Sequence, residues 1–331
     1  MYESFYGLRE RPFDLSPNAR FLFLSRKHLE ALTHLEYALG GRPGLTVLIG
    51  EAGTGKTTLI RAALQQAAGT TSGVVHLANP TLTRAEFFEF LASGFGFSNE
   101  AASSKTRFLR ELEAALAAQP ATGAGLALVV DEAQAVPHEL LEEIRLLSNV
   151  DAPSGRTVAV ILVGQPELAA RLNDPSLRQL KQRVALRCEL GTLDLAETAS
   201  YIAARVKVAG GRAEQIFSRD AVATVHRYSG GIPRTISVIC DNALVNGFAA
   251  NARPVGPDLV LEVCRDFQIE LPGAAATAAP AADSPTDTDP PVGPGTNPSP
   301  DAAAAVGATD REAAPMFSGY TKPRRFFQFS R

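Results

Sequence analysis

The chain has 331 residues, 45% apolar and 20% charged, with a formal net charge of -3. That length can bury the core of one large domain or two ordinary ones, and the charge balance excludes a global basic field, though not a local basic face. Cys188, Cys240 and Cys264 are widely spaced, form no Cys-x-x-Cys pair and read as reduced thiols of a cytosolic protein.

The opening Met1-Tyr-Glu-Ser-Phe-Tyr6 has no basic region followed by an apolar stretch, so it is not expected to be a secretory signal. No apolar run approaches the ~20 residues that span a bilayer. The expected location is the cytoplasm, with peripheral attachment at the inner membrane face as the one route to the envelope. Residues 1–190 alternate short apolar runs with longer helical patterns. The runs are 45–49, 74–77, 126–130, 158–163 and 184–188, and their near-continuous Val, Ile and Leu content predicts strands buried on both faces. Helices are predicted at about 57–68, 84–94, 105–118 and 138–149. The expected class is α/β, a parallel sheet with flanking helices.

Residues 191–271 change character and predict a small helical lid domain, with helices near 195–209, 218–228, 234–250 and 257–267. Ala199, Ile202, Ala203 and Val206 share one helix face and form a stripe in need of a partner. Residues 272–316 are rich in Ala, Pro, Thr, Asp and Gly and predict a disordered linker. Residues 317–331 carry five aromatics and four basic residues with no acid, a candidate docking peptide for anionic lipid or a partner's groove.

Chemistry concentrates in three places. Gly50-Glu51-Ala52-Gly53-Thr54-Gly55-Lys56-Thr57, followed by Thr58, matches the phosphate-loop pattern G-x-x-x-x-G-K-[ST]. Its glycines let successive N–H groups turn inward on phosphates, Lys56 brings charge to the outer phosphates, and the Thr57 hydroxyl is an expected Mg²⁺ ligand. The strand 126–130 ends in Asp131-Glu132, which puts Asp131 at the sheet's C-terminal edge as the second Mg²⁺ holder. Glu132 is then the expected base that orients the attacking water. The third place is Leu162-Val-Gly-Gln-Pro166, where Gln165 is a candidate partner for the γ-phosphate or that water.

With these elements in line, the sequence resembles AAA+ ATPases of the general secretion pathway protein A group. The resemblance covers residues 1 to about 270. It rests on Tyr2–Pro17, Phe21–Ser25, Gly164–Leu168, Leu177–Arg183, Glu197–Ile202 and Ser229–Ile236. It implies ATP and Mg²⁺ as ligands and assembly with copies of itself in a ring or filament. It implies that Gln165 is a sensor of the phosphates, that Arg183 is an arginine finger reaching a neighbouring subunit, with Arg178 as its competitor, and that Arg234 couples nucleotide state to lid angle. Asn79 falls where a polar residue can restrain Glu132. Secretion members of the group continue into a transmembrane helix and a peptidoglycan-binding region, whose place the linker and the basic-aromatic peptide take here. The expected role is assembly or regulation of an envelope, secretion or exopolysaccharide machine, with an envelope component held by 317–331. The alternative is a DNA-associated ATPase resembling transposition regulators, with Arg178, Lys181, Arg187, Arg205, Lys207 and Arg212 as its basic stripe. The acidic balance and the N-terminal signature count against DNA.

Overall fold

The computed structural model describes residues 1–16, 18–40, 44–67, 71–119, 124–150 and 156–271. The linker and docking peptide expected over 272–331 lie outside the described residues. Five strands, β1 (Leu45–Gly50), β2 (Thr71–Leu77), β3 (Ala124–Val130), β4 (Ala159–Gly164) and β5 (Val184–Leu190), pair in parallel in the order β2-β3-β4-β1-β5. All five coincide with the apolar runs of the sequence.

Side chains alternate across the strands, and each face has its own cover. Leu45, Val47, Leu128, Val130, Val160 and Leu162 point to one face. There they meet α4 (Arg84–Phe95), α5 (Asn99–Ser103), α6 (Lys105–Ala117), α7 (His138–Leu147) and α8 (Pro166–Leu172). Leu48, Ala127, Val129, Ile161 and Val163 point to the other face, against α2 (Arg26–Leu39) and α3 (Lys56–Ala67). Burial on both faces is what makes the inner strands continuously apolar. The edge strand β5 instead exposes Ala185, Arg187 and Glu189 while burying Cys188 and Leu190, and charges on an edge discourage pairing with another chain.

The sequence pattern missed α2, although its signals are local. Ser25 caps it by accepting from the His28 amide, and His28, Ala31, Leu32, Leu35, Ala38 and Leu39 form its buried stripe. Glu143 of α7, almost fully buried, is bonded by Arg84 of α4 and Lys105 of α6 at 2.6 Å each, which ties three covering helices together.

After β4 the chain runs through α8 and α9 (Arg178–Lys181) into β5, then enters the helical region: α10 (Leu195–Val208), α11 (Ala213–Ile216), α12 (Arg219–Ser229), α13 (Pro233–Ala249) and α14 (Pro257–Asp266). Asp194 and Glu197 form a capping box that starts α10. The apolar stripe of α10 finds its partner partly at the other end of the chain. Tyr2, Tyr6 of α1 (Glu3–Tyr6), Leu8, Phe13 and Phe21 share a core with Ile202, Val206, Ile239 and Leu244.

The N-terminal segment thus packs on the helical region rather than on the sheet, the difference from a sequence division at residue 190. The sheet faces are already covered, so these aromatics bury their area on the lid helices instead. Arg205 of α10 fastens the strap. Its guanidinium donates to the Pro12 carbonyl at 2.6 Å, the Asp14 carbonyl at 2.9 Å and the Tyr201 hydroxyl at 2.9 Å, and it lies 5.1 Å from the Phe21 ring centre. Arg11 adds an ion pair to Asp241 of α13 at 2.7 Å. No helix among the described residues is long and apolar enough to cross a membrane.

Candidate functional site

β1 delivers the chain to Gly50 at the C-terminal edge of the sheet, and α3 starts at Lys56. Between them the backbone turns through Gly53 and Gly55, with φ of 83° and 99°, values that favour glycine. Thr54 is fully buried, and its hydroxyl donates to the Glu51 carbonyl at 2.8 Å. Glu51 and Ala52 form the exposed outer arc of the turn, and Thr58 lies half-buried on the first turn of α3. Lys56 is only 6% exposed and donates to the Gly50 and Glu51 carbonyls at 2.7 and 3.0 Å. Burial pushes its pKa down, while the charges of Glu132 and Asp131 oppose the shift. A buried ammonium satisfied by the loop's own carbonyls is poised to exchange them for phosphate oxygens.

β3 brings the acidic pair beside this loop. The Asp131 amide donates to the Leu77 carbonyl at 2.9 Å, locking the strand tip onto β2. The Thr57 hydroxyl donates to Asp131 Oδ2 at 2.9 Å, and the Glu132 amide donates to Oδ1 at 3.0 Å. Residues 74 apart in sequence therefore meet as two hard oxygen donors. Among the described residues no cluster of three or more His, Cys, Asp or Glu forms a metal cage. The Thr57 hydroxyl and the Asp131 carboxylate are hard oxygens of the kind that would suit Mg²⁺, which keeps waters and is held through one or two protein oxygens plus substrate phosphates.

Glu132 sits at φ 50°, left-handed backbone that a non-glycine residue adopts at a cost. Its carboxylate is held from two sides. Gln134 Nε2 donates to Oε2 at 2.5 Å, and Gln165 Nε2 donates to the same oxygen at 3.2 Å. The Gln134 amide, with help from Gln165 and the Lys56 charge, holds the Glu132 carboxyl below the usual range against the effect of burial. Gln165 is thus brought to the Glu132 carboxylate itself. Asn79 is exposed and its side chain accepts from the Thr81 amide at 3.3 Å, so the bonds on Glu132 come from Gln134 and Gln165 instead. Sequence reasoning missed Gln134, two residues beyond the acid it holds.

Two further elements reach the loop. His28 of α2 bonds the Thr54 carbonyl through Nε2 at 2.9 Å, and its Nδ1 lies 2.7 Å from the Ser25 hydroxyl. A carbonyl only accepts, so Nε2 carries the hydrogen and the Ser25 hydroxyl donates to Nδ1. From the lid, the Arg234 amide donates to the Gly53 carbonyl at 3.2 Å, and the Leu193 amide donates to the Gly231 carbonyl at 2.8 Å. The Arg234 side chain is exposed at the start of α13. Phe21, Phe23, His28, Thr54, Tyr201 and Pro233 line a cleft of about 80 Å³ that joins strap, phosphate loop and lid. A larger cavity, about 410 Å³, lies between α2 and β5 and includes no phosphate-loop residue.

Arg183 stands at the opposite edge of the sheet. Its carbonyl accepts from the Leu45 amide at 3.0 Å, at the start of β1. The phosphate loop begins five residues further along that strand, about 17 Å away. Arg183 and Arg178 are both exposed, so neither is drawn into its own chain's site.

Residues 40–172 match the family model described as AAA domain. This is an AAA+ ATPase domain. The chain is homologous to General secretion pathway protein A of Aeromonas hydrophila, 39% identical over 255 residues, which are 77% of this chain and 46% of that protein. It therefore spans about half the length of that curated relative. Among solved structures, Cdc6p from Pyrobaculum aerophilum shares the fold at 18% identity and a TM-score of 0.60, covering 81% of this chain and 74% of that one. Drosophila ORC bound to DNA shares it at 18% identity and a TM-score of 0.58, covering 78% of this chain and 65% of that one.

These likenesses correct one expectation. The sequence reading preferred self-assembly and an envelope component as partners and disfavoured DNA, yet the AAA+ fold is shared with a protein solved on DNA. A charge summed over the whole chain does not describe any one face. The basic stripe suggested by the sequence also changes. Arg205 is tied to the N-terminal strap, Arg187 pairs with Glu189, and Lys181 donates to Asn173.

Proposed function

We propose that the chain is an ATP-hydrolysing switch whose lid and neighbouring subunit respond to the nucleotide held at the phosphate loop. The reading is carried by the convergence of Lys56, Thr57, Asp131 and Glu132 at one sheet edge, from two separate strand ends. The loop amides and Lys56 bind the phosphates, and the Thr57 hydroxyl and the Asp131 carboxylate hold Mg²⁺. Bound there, Mg²⁺ would supply positive charge that offsets the charge of the phosphates. Glu132 orients a water for in-line attack and takes its proton, and Gln165 steadies the base from β4. Arg234 reads the nucleotide from the lid. Arg183 completes the site of the next subunit, which its position at the far sheet edge supports.

Two observations bear on what the cycle drives. The fold shared with DNA-bound ORC supports a DNA-associated ATPase. The 39% identity to General secretion pathway protein A supports a role in assembling a secretion or other envelope machine. One experiment tests the switch and separates the clients. Purified protein should hydrolyse ATP only with Mg²⁺, and Lys56→Ala should no longer retain ATP. Stimulation by duplex DNA that fades as salt rises supports the DNA reading. A rate indifferent to DNA at low salt removes it. Wild-type ATP retention by Lys56→Ala would sink the phosphate-loop assignment.

A further inference from the structure

We propose that Gln134 is the positioning residue that fixes which oxygen of Glu132 acts as the base. The proposal rests on the ATPase reading above and deepens it. The Gln134 side-chain oxygen accepts from the Gln165 main-chain amide at 3.0 Å, and a main-chain N–H only donates. The amide orientation is therefore determined: Oε1 faces Gln165, and Nε2 must face Glu132. The Gln134 main-chain carbonyl is held in turn by the guanidinium of Arg171 on α8. Space around the amide is fully used. A Cβ at Gly164 would lie 2.8 Å from Gln134 Oε1, so the glycine at the end of β4 leaves the gap that this amide fills.

The consequence for Glu132 is asymmetric. Both glutamines donate to Oε2, and no hydrogen bond from a described residue reaches Oε1. Oε2 is tethered to the strand tips, while Oε1 keeps its lone pairs for the proton of the attacking water. Left-handed backbone at Glu132, which a non-glycine residue adopts at a cost, adds a second constraint on where the carboxylate sits. Both ends of the Gln134 side-chain amide are engaged within the chain, by Glu132 and by the Gln165 amide. Gln134 acts through Glu132.

The test compares steady-state ATP hydrolysis by wild type, Gln134→Ala and Gln134→Glu, each also made in the Glu132→Gln background. Gln134→Glu keeps the size and the acceptor for the Gln165 amide but sets a second carboxylate against Glu132. Loss of aim at the base should lower kcat roughly 10- to 100-fold with the KM for ATP shifted less than about twofold. In the Glu132→Gln background both Gln134 variants should cost nothing further, because a residue acting through Glu132 has no one left to act on. Single variants with kcat within twofold of wild type overturn the assignment. So does a proportional further loss in the Glu132→Gln background, or a parallel fall in ATP affinity, since either marks a merely structural side chain. A wild-type protein with no Mg²⁺-dependent hydrolysis overturns the ATPase reading and this assignment together, whereas active wild type with indifferent variants overturns this assignment alone.

Discussion

The main-chain amide of Arg234 donates to the carbonyl of Gly53 at 3.2 Å, so the first turn of a lid helix rests on the phosphate loop itself. Gly53 makes that approach possible. A Cβ there would lie 2.8 Å from Arg234 Cβ and 3.0 Å from Ile232 Cγ2, on a backbone with φ of 83°. Gly53→Ala is expected to push the lid off the loop and to strain the turn by about 1–3 kcal/mol. ATP affinity should fall about tenfold or more, measured by calorimetric titration with Mg²⁺, while the far-ultraviolet dichroism of the variant stays that of wild type. Unchanged affinity would mean that the loop tolerates the lid at a greater distance.

Arg205 bears on the coupling between strap and lid. Its guanidinium holds two carbonyls of the strap and the Tyr201 hydroxyl, and Tyr201 continues to the Ser237 hydroxyl at 2.8 Å. Arg205→Ala leaves those acceptors without a charged donor and removes the cation from the Phe21 face. The expected cost is about 2–3 kcal/mol in urea unfolding. Lysine, a point charge without the planar fork, should recover less than half of it. Digestion near residues 14–18 should quicken in parallel if the strap detaches. A variant as stable as wild type would show that aromatic burial alone holds the strap.

The sheet was legible because its inner strands are buried on both faces, and nothing but a continuous apolar run satisfies that environment. The phosphate loop and the acidic strand end were legible for a related reason: each is a short local pattern at the end of such a run. The three-dimensional neighbours were not. Tyr2 and Phe13 look like any aromatic signature in sequence, and only the fold pairs them with Ile202 and Val206, roughly two hundred residues away. α2 carries both a Ser25 cap and a 3.6-residue stripe, signals that predict a helix but that the sequence reading left out. Gln134 escaped because its partners are Glu132, two residues away on a turn, and Gln165, just past the end of another strand. A two-residue spacing outside a strand and one of 31 residues give no periodic signal. Within the basic stripe, spacing along the chain does not reveal which cations are already engaged, and Arg205, Arg187 and Lys181 have partners in this chain.

His28 gives the site a pH signature. Burial pushes its pKa below the ordinary imidazole value, so the folded ring stays neutral between Ser25 and the Thr54 carbonyl. In the unfolded chain the ring takes a proton as pH falls through about 6.5. The unfolded state therefore binds more protons below that point, and stability drops as pH falls. Above about pH 7 both states are neutral and the group contributes no slope. Replacing His28 by Gln, which can still donate to Thr54 but does not titrate, should flatten the stability profile between about pH 7 and pH 5. Urea midpoints across that range measure it. An identical slope in both proteins would assign the acid sensitivity to other groups.

The far-edge position of Arg183 makes a sharper demand. β1 separates it from its own phosphate loop by about 17 Å, so if it stabilises charge during hydrolysis it must do so in a neighbour. Arg183→Ala alone should then lose most turnover, about a thousandfold for a finger acting at the transferring phosphoryl group, with ATP binding retained. Lys56→Ala alone should fail for the complementary reason, its own loop empty but its finger intact. Mixed together, the two inactive proteins should regain a measurable rate, because a Lys56→Ala subunit can lend Arg183 to an Arg183→Ala subunit whose loop is whole. The rate should rise with total protein concentration and follow the fraction of mixed contacts. Arg178→Ala in place of Arg183→Ala discriminates the two candidates: if Arg183 is the finger, Arg178→Ala is active without a partner. Mixtures that stay silent at concentrations where the wild type associates would remove the trans role from Arg183.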